Sequence, residues 1–355
     1  MSRPRLLIVG GGQSGLAAAR AGRDRGWDPV VLEAGAEPVG SWPAYYDSLQ
    51  LFSPRRFSSF PGYEFPGAED GYPGRDEVVD YLRGYASWLG VDIRTDSRVA
   101  DVTLDSAGAF TVHLTNGDAV SADVVIAASG SFANPHIPQV AGREEFSGQV
   151  LPVAAYRSPE PFAGQRVLVV GAGNSAVQVG YELAQVADVS LAVRDRVRLV
   201  SQVVGGRDLH WWLRLTRADL LPPAVLGRVV TGTPVIDTGR YEEALHSELL
   251  GQGPMFSAFT SDGVVWADGT EERVDAVIFA TGYRPHLPYL GSLGALDADG
   301  GPRHRHGIST VQPGLGFLGL EFQRTFSSNT LRGVHRDAGF VVGALAQQLR
   351  KVAVG

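Results

Sequence analysis

Two stretches decide the fold of this chain: Arg5-Leu-Leu-Ile-Val-Gly-Gly-Gly-Gln-Ser-Gly15 and Arg166-Val-Leu-Val-Val-Gly-Ala-Gly-Asn-Ser-Ala176. Each is an apolar run of strand length that ends in a Gly-x-Gly-x-x-Gly/Ala turn and continues into a helix-like segment. The first glycine permits a tight turn, the second lets backbone approach a pyrophosphate, and the third small residue lets the helix pack close to the strand. One such turn is weak support, because glycine-rich turns also serve purely structural ends. Two in matching context are much stronger. Gly10, Gly12 and Gly15 are the candidate binding set of the first unit; Gly171, Gly173, Asn174, Ser175 and Ala176 are that of the second.

Each unit also closes alike. Ala122-Asp-Val-Val-Ile-Ala-Ala-Ser-Gly130 and Val274-Asp-Ala-Val-Ile-Phe-Ala-Thr-Gly282 are apolar strands entering a small-residue turn, after the hairpin signals Asn116-Gly117 and Asp268-Gly269. Gly130, and Thr281 with Gly282, join the candidate site residues. The tail from Arg284 to Gly355 has no glycine turn of its own, so the economical arrangement returns it to the first unit. The expected fold is α/β with two Rossmann-like dinucleotide-binding domains, the second inserted into the first. The expected bounds are residues 1–145 with 284–355, and residues 146–283. The proline-bearing stretch Pro152 to Gly164 reads as the linker into the second domain.

The two units lie over one another by counting. Glu33 stands twenty-three positions after Gly10, and Arg194 twenty-three after Gly171. Both fall at the end of the next expected strand, and they are opposite in charge. An acid there accepts hydrogen bonds from an adenosine ribose, whereas an arginine suits a 2'-phosphate. The first unit is therefore expected to hold FAD and the second NADPH, with Asp195 beside Arg194 leaving NADH as the other nicotinamide.

With 355 residues, 44% hydrophobic and 19% charged, the chain is long enough to bury the cores of two domains. Its net charge of -7 argues against a nucleic-acid or anionic-membrane partner. No stretch approaches the run of about 20 apolar residues that a membrane helix needs, and the N-terminus enters a strand at once, so a cytoplasmic protein with a small-molecule substrate is expected. The absence of cysteine removes redox disulfides, thiolate nucleophiles and cysteine metal ligands; electron transfer must run through a bound cofactor. His304 and His306 have no third ligand nearby, so no metal is expected. Oligomeric state leaves no mark on the sequence.

Beyond the glycine turns, the chain resembles the flavin-dependent monooxygenases of the flavin-containing (class B) type, especially their short bacterial members. Val39-Gly-Ser-Trp42 is similar to the family's Gly-Gly-x-Trp element, which marks Gly40 and Trp42, with Asp47 close behind, as candidates to flank a flavin. Phe279-Ala-Thr-Gly-Tyr283 matches a second element. Phe146-Ser-Gly-Gln-Val-Leu-Pro-Val-Ala-Ala-Tyr156 matches the family fingerprint at Phe146, Gly148 and Tyr156, but Pro152 takes the place of its histidine. In Leu49-Gln-Leu-Phe-Ser-Pro-Arg-Arg-Phe57, Phe52 takes the place of an asparagine that many members carry near the flavin. The stretch Phe326-Ser-Ser-Asn-Thr-Leu-Arg-Gly-Val334 precedes a helix carrying Phe340, Leu345 and Leu349; in related flavoproteins the backbone donors of such a helix start face the flavin pyrimidine carbonyl, which marks Leu331 and Arg332 as candidates.

The resemblance implies reduction of FAD by a nicotinamide hydride, capture of dioxygen as a flavin C4a-hydroperoxide, and oxygen transfer to a sulfide, an amine or a ketone. No classical acid, base or nucleophile is demanded, because the cofactor carries the reaction. Phe52 and Pro152 keep a second reading open, a nicotinamide-flavin reductase or oxidase that releases hydrogen peroxide or passes electrons onward. A third, a flavin-binding accessory protein without turnover, is disfavoured by two intact glycine turns. His210-Trp-Trp212 after Gly205-Gly-Arg-Asp208 reads as an aromatic interface helix in preference to a mobile flap.

Overall fold

The computed structural model describes residues 3–106, 108–222, 234–247 and 249–352. The first quoted stretch forms strand β1 (Arg5–Val9), turns at Gly10, and becomes helix α1 (Gln13–Arg23) before β2 (Asp28–Leu32). Helices α2 (Arg55–Ser58) and α3 (Arg75–Leu89) follow, then β3 (Asp92–Arg94), the antiparallel β4 (Val99–Leu104), β5 (Phe110–Leu114) and β6 (Ala119–Ala122), and β7 (Val124–Ala127). The Asn116-Gly117 turn joins β5 to β6 with Gly117 at φ 94°, as a tight hairpin requires.

The chain then leaves for a second sheet. Strands β8 (Gln149–Pro152), β9 (Arg166–Val170), helix α4 (Asn174–Leu183) and β10 (Asp188–Val193) come first. Two small pairs follow, built from β11 (Leu199–Ser201), β12 (Val203–Val204), β13 (Arg207–Asp208) and β14 (Val235–Asp237), together with helices α5 (Leu209–Thr216) and α6 (Arg240–His246). The insert closes with β15 (Gly251–Pro254), the antiparallel β16 (Ala258–Phe259), β17 (Gly263–Val265) and β18 (Glu271–Arg273), and β19 (Ala276–Phe279). The chain returns through β20 (His304–Arg305), β21 (Ile308–Ser309) and β22 (Leu315–Phe317), ending in α7 (Leu331–Val352).

The first sheet runs β20-β21-β22-β7-β1-β2-β3 and the second β15-β10-β9-β19-β8, the latter parallel throughout. All strands of the second come from one continuous stretch between the two stretches that build the first. This is the inserted double Rossmann arrangement. One expectation needs correcting: Pro152 is not the start of a linker but the last residue of β8, in register with Phe279. A proline sits there without penalty because β8 is an edge strand, where a missing N–H breaks no ladder.

Each of the two large sheets is covered by helices on one face and by a three-stranded antiparallel sheet on the other. Along β1, Leu6 and Ile8 face the cluster of α1, α3 and α7, whereas Leu7 and Val9 face that of β4–β6. Along β9, Val167 and Val169 face the α4 side, and Leu168 and Val170 the side of β16–β18. A strand buried on both faces must be apolar at every position, which is why both quoted runs lack alternation. On α7 the buried residues include Leu331, Val334, Ala338, Val341, Val342 and Leu345, at helical spacing. Phe340 lies on the outer side of this helix, 41% exposed, with the Arg324 guanidinium over its ring at 3.8 Å.

Candidate dinucleotide sites and the domain seam

The two glycine turns are built alike. Gly10 has φ 105° and Gly171 φ 141°, conformations that L side chains avoid. A β-carbon on Gly10 would stand 2.6 Å from the Ala128 carbonyl oxygen, and one on Gly171 2.5 Å from that of Ala280. In both units the first glycine thus lets the turn lie against the strand that closes the unit. The third positions differ. A β-carbon on Gly15 would be driven into the Gly10 carbonyl oxygen, whereas the second turn accommodates the methyl of fully buried Ala176.

The residues present fit dinucleotides. Helices α1 and α4 begin on Gly12 and Gly173 in extended conformation, with no side-chain cap and no acidic residue in the first turn. Their first N–H groups and positive dipole ends are therefore left for an anion. By contrast, α5 is capped by Asp208, whose carboxylate accepts from the His210 N–H at 2.7 Å. Gly173 has open space where a side chain would go, as do Gly130 and Gly282, both at positive φ.

Glu33 and Arg194 each stand one residue past their strands, β2 and β10. The Glu33 side chain is buried and accepts from the backbone N–H of Gly11 (2.6 Å) and Gly35 (2.7 Å), one bond to each oxygen. A carboxylate has about four acceptor sites, so it retains capacity for ribose hydroxyls. Arg194 is exposed, and among the described residues no hydrogen bond or ion pair engages its guanidinium. Arg157, by contrast, is committed to the carbonyls of Ala44 and Tyr45.

Three distant segments meet at Gln13, a residue the sequence reading passed over. Its Oε1 accepts from Trp42 Nε1 at 3.2 Å and its Nε2 donates to the Asn329 carbonyl at 2.7 Å. The first glycine turn, the Gly40–Trp42 element and the approach to Leu331 and Arg332 are tied together by that one amide. Gly40, at φ 59°, packs so closely on Gly12 that a β-carbon would come within 2.8 Å of its Cα. Asp47 points elsewhere: its carboxylate pairs with Arg75 and is 60% exposed. Asn174 turns its amide to the Pro234 carbonyl (3.4 Å) and the Ile236 N–H (3.1 Å), anchoring β14. Ser175, the next residue, lies in the first turn of α4.

Between the domains, Thr281 donates to the His136 carbonyl and Gly282 accepts the His136 N–H at 2.9 Å. An aromatic row crosses the seam: Trp42 to Tyr45 (5.5 Å), Tyr45 to Phe132 (4.3 Å) and Phe132 to Tyr283 (5.3 Å). Tyr46 donates to Gln178 at 2.5 Å and Gln202 to the Phe52 carbonyl at 3.2 Å. Beside these contacts opens a cavity of about 270 Å³ lined by Phe52, Tyr46, Gln50, Gln178, Gln202 and Tyr241 among others.

Phe52 does not stand alone. Its ring stacks on His210 at 6.1 Å and 18°, and Phe57 approaches the same imidazole at 6.3 Å. Helix α5 is thus the interface helix that its aromatic run suggested. His210 Nδ1 lies 3.0 Å from Asp208 Oδ1, and Asp208 Oδ2 accepts from the Tyr72 hydroxyl at 2.5 Å. Burial pushes the Asp208 carboxyl up, but the bonds from His210 and Tyr72 outweigh it and hold it below its ordinary value. Burial likewise holds the His210 imidazole below its ordinary value, against the pull of Asp208 and with added opposition from the Arg332 charge. Arg332 is itself buried, its Nε 3.6 Å from Asp219 Oδ2, a distance beyond hydrogen-bond reach.

Among the described residues no helix is long and apolar enough to cross a membrane. A model of the pyridine nucleotide-disulphide oxidoreductase family matches residues 7–207. The chain is 33% identical to the indole-3-pyruvate monooxygenase YUCCA1 of Oryza sativa subsp. japonica over 341 residues, covering 87% of this chain and 82% of that one. It is 31% identical to a CzcO-like oxidoreductase of Geobacillus kaustophilus, covering 95% and 97%. A flavin-containing monooxygenase from Stenotrophomonas maltophilia superposes with a TM-score of 0.84 at 31% identity, over 99% of this chain and 100% of that one. The chain belongs to the pyridine nucleotide-disulphide oxidoreductase family and to the flavin-containing monooxygenases, which are FAD-dependent oxidoreductases.

Proposed function

We propose that the chain is an NADPH-using monooxygenase that oxygenates a small soft nucleophile, a sulfide or an amine, or a ketone. FAD is held by residues 1–145 with 284–355 and NADPH by residues 146–283. The observation that carries this reading is the pair of uncapped helix starts with opposite residues past the matching strands: buried Glu33 in one, exposed and unengaged Arg194 in the other. The Gly10–Gly15 turn, Gly40, Trp42 and the start of α7 surround the first dinucleotide; Gly171, Gly173 and Arg194 hold the second. Bound FAD, once reduced by the nicotinamide, supplies the activation of dioxygen and the transfer of one oxygen atom. The protein's part is to orient the two cofactors across the seam and to limit water there.

A second reading, an oxidase that releases hydrogen peroxide, is favoured by the cavity beside Phe52. Hydrogen-bonding side chains such as Gln50, Gln178 and Gln202 line it, and such walls hold water. One assay separates the two. NADPH consumption, oxygen uptake and peroxide release are followed together, with and without a panel of sulfides, amines and ketones. The expected outcome is NADPH oxidation stimulated by a sulfide with an oxygenated product, and a large share of the NADPH appearing as peroxide. Peroxide equal to NADPH with every compound, and no product, would establish the oxidase reading instead.

A further inference from the structure

Two opposite charges face one cavity at the domain seam without pairing. The cavity beside Phe52, about 270 Å³, has Glu182 of α4 and Arg240 of α6 in its wall. Among the described residues neither makes an ion pair; each is held by tyrosines instead. Glu182 Oε2 accepts from the hydroxyl of buried Tyr156 at 2.9 Å, and among the described residues no other hydrogen bond reaches that carboxylate. The Arg240 guanidinium lies over the rings of Tyr241 at 5.0 Å and Tyr181 at 5.6 Å, with Nη2 donating to the Tyr241 hydroxyl at 3.0 Å. Asp237, just before α6, is buried and spends Oδ1 on the Tyr241 N–H. Tyr46 ties the two charged corners together: its hydroxyl is pushed up by burial first, then by Tyr241 and Glu182, which both face it.

A guanidinium has several N–H donors and a carboxylate about four acceptor sites, so each group keeps most of its capacity. Their tyrosine contacts fix both in direction, which lowers the ordering cost when a partner binds. A lone anion at Arg240 would share the cavity with Glu182, and a lone cation at Glu182 would share it with Arg240. A ligand that bears both charges meets a partner at each end. We propose that this cavity binds a small zwitterion of the α-amino acid type, with its ammonium on Glu182 and its carboxylate on Arg240. Glu182 is half-buried and Arg240 exposed, so the carboxylate end lies toward the rim. The volume falls just short of the roughly 300–1,000 Å³ typical of pockets for drug-sized ligands, which restricts the occupant to about a single amino acid. The proposal stands on these side chains and does not rest on the monooxygenase reading.

The test is calorimetric titration of the full-length protein, without nicotinamide, so that the result does not depend on turnover. Glycine, alanine, leucine and phenylalanine form a size series, and the tightest binder is compared with its desamino acid and its decarboxylated amine. Saturable binding of the amino acid is expected, with each singly charged counterpart at least about tenfold weaker. Glu182→Gln keeps an acceptor for Tyr156 but removes the charge; it is expected to weaken the amino acid and the amine about fivefold and to spare the desamino acid. Arg240→Gln is expected to do the converse, weakening the amino acid and the desamino acid and sparing the amine. Arg240→Lys, which keeps the charge at the rim, should stay within about threefold of the parent. Should Glu182→Gln not fold by circular dichroism, the two substitutions at exposed Arg240 decide the matter alone. No saturable binding of any amino acid, a counterpart that binds as tightly as the amino acid, or variants that lose acid and amine alike would overturn the proposal and leave the functional reading standing.

Discussion

At the scale of single residues, Glu33 and Arg194 stand at equivalent places in the two units. Each is the first residue past its strand, yet one is buried on two backbone N–H groups and the other lies free at the surface. A guanidinium bonded to a 2'-phosphate is worth about 1.5–3 kcal/mol, so Arg194→Ala is expected to weaken NADPH binding roughly ten- to a hundredfold. NADH should change by less than about twofold, because it has no phosphate there. Titration of both nucleotides checks this, and an equal loss for both would move the phosphate site elsewhere. The pair was legible in the sequence because register is counted, not folded: the same number of positions separates glycine from charge in each unit. Gln13 was not legible in this way. Its partners Trp42 and Asn329 lie 29 and 316 positions away, and no local pattern marks a glutamine as the meeting point of three loops.

At the scale of elements, the strands, the glycine-led helices and the hairpins were readable because each is dictated by local chemistry: continuous apolar runs, positive-φ glycines and Asn-Gly or Asp-Gly turns. One reading failed where tertiary context decides: the stretch from Pro152 looks like linker in sequence, yet Pro152 pairs with β19. Helix α7 carries another property invisible in sequence. His335, beside the small cavity between α1 and α7, is pushed down to about 4 by burial, with help from the neighbouring Arg336 charge. Its value in the unfolded chain is near 6.5, so the unfolded state takes up the proton first as pH falls. Stability from this group is complete above about pH 6.5 and is lost progressively down to about pH 4. Between pH 7.5 and 5 the loss is on the order of 2 kcal/mol. His335→Gln should remove that part of the pH dependence, which urea unfolding of parent and variant at the two pH values measures. Identical slopes would place the acid sensitivity in other groups.

At the scale of the whole molecule, the insert is fastened to its host by buried charge as well as by rings. Asp219, 4% exposed, lies between Arg332 (3.6 Å) and Arg336 (3.4 Å) of α7. Removing one partner of a buried pair leaves the other uncompensated, so Asp219→Asn is expected to destabilise the fold by about 3 kcal/mol. Arg83→Ala, which breaks the exposed pairs with Glu37 and Asp80, should cost less than about 1 kcal/mol. Thermal unfolding of the two variants side by side tests the contrast, and comparable losses would mean the seam is not held electrostatically. Of this seam the sequence disclosed the inserted topology and the interface role of α5. It did not disclose the chain of contacts from Tyr72 through Asp208 to His210, since Tyr72 and Asp208 are 136 positions apart and meet only when two domains dock. A last consequence follows from the two crossings between domains. The outgoing and returning strands run side by side: Pro135 bridges to Tyr283, His136 donates to the Gly282 carbonyl, and Arg284 donates to that of Asn134. The two crossings therefore share one paired segment, and any rocking of the insert against its host would pivot there. The same adjacency makes the insert a cassette. Its ends enter and leave side by side, so exchanging it for a homologous cassette means joining the chain at two neighbouring junctions and matching the seam partners Gln178, Asp208 and Asp219.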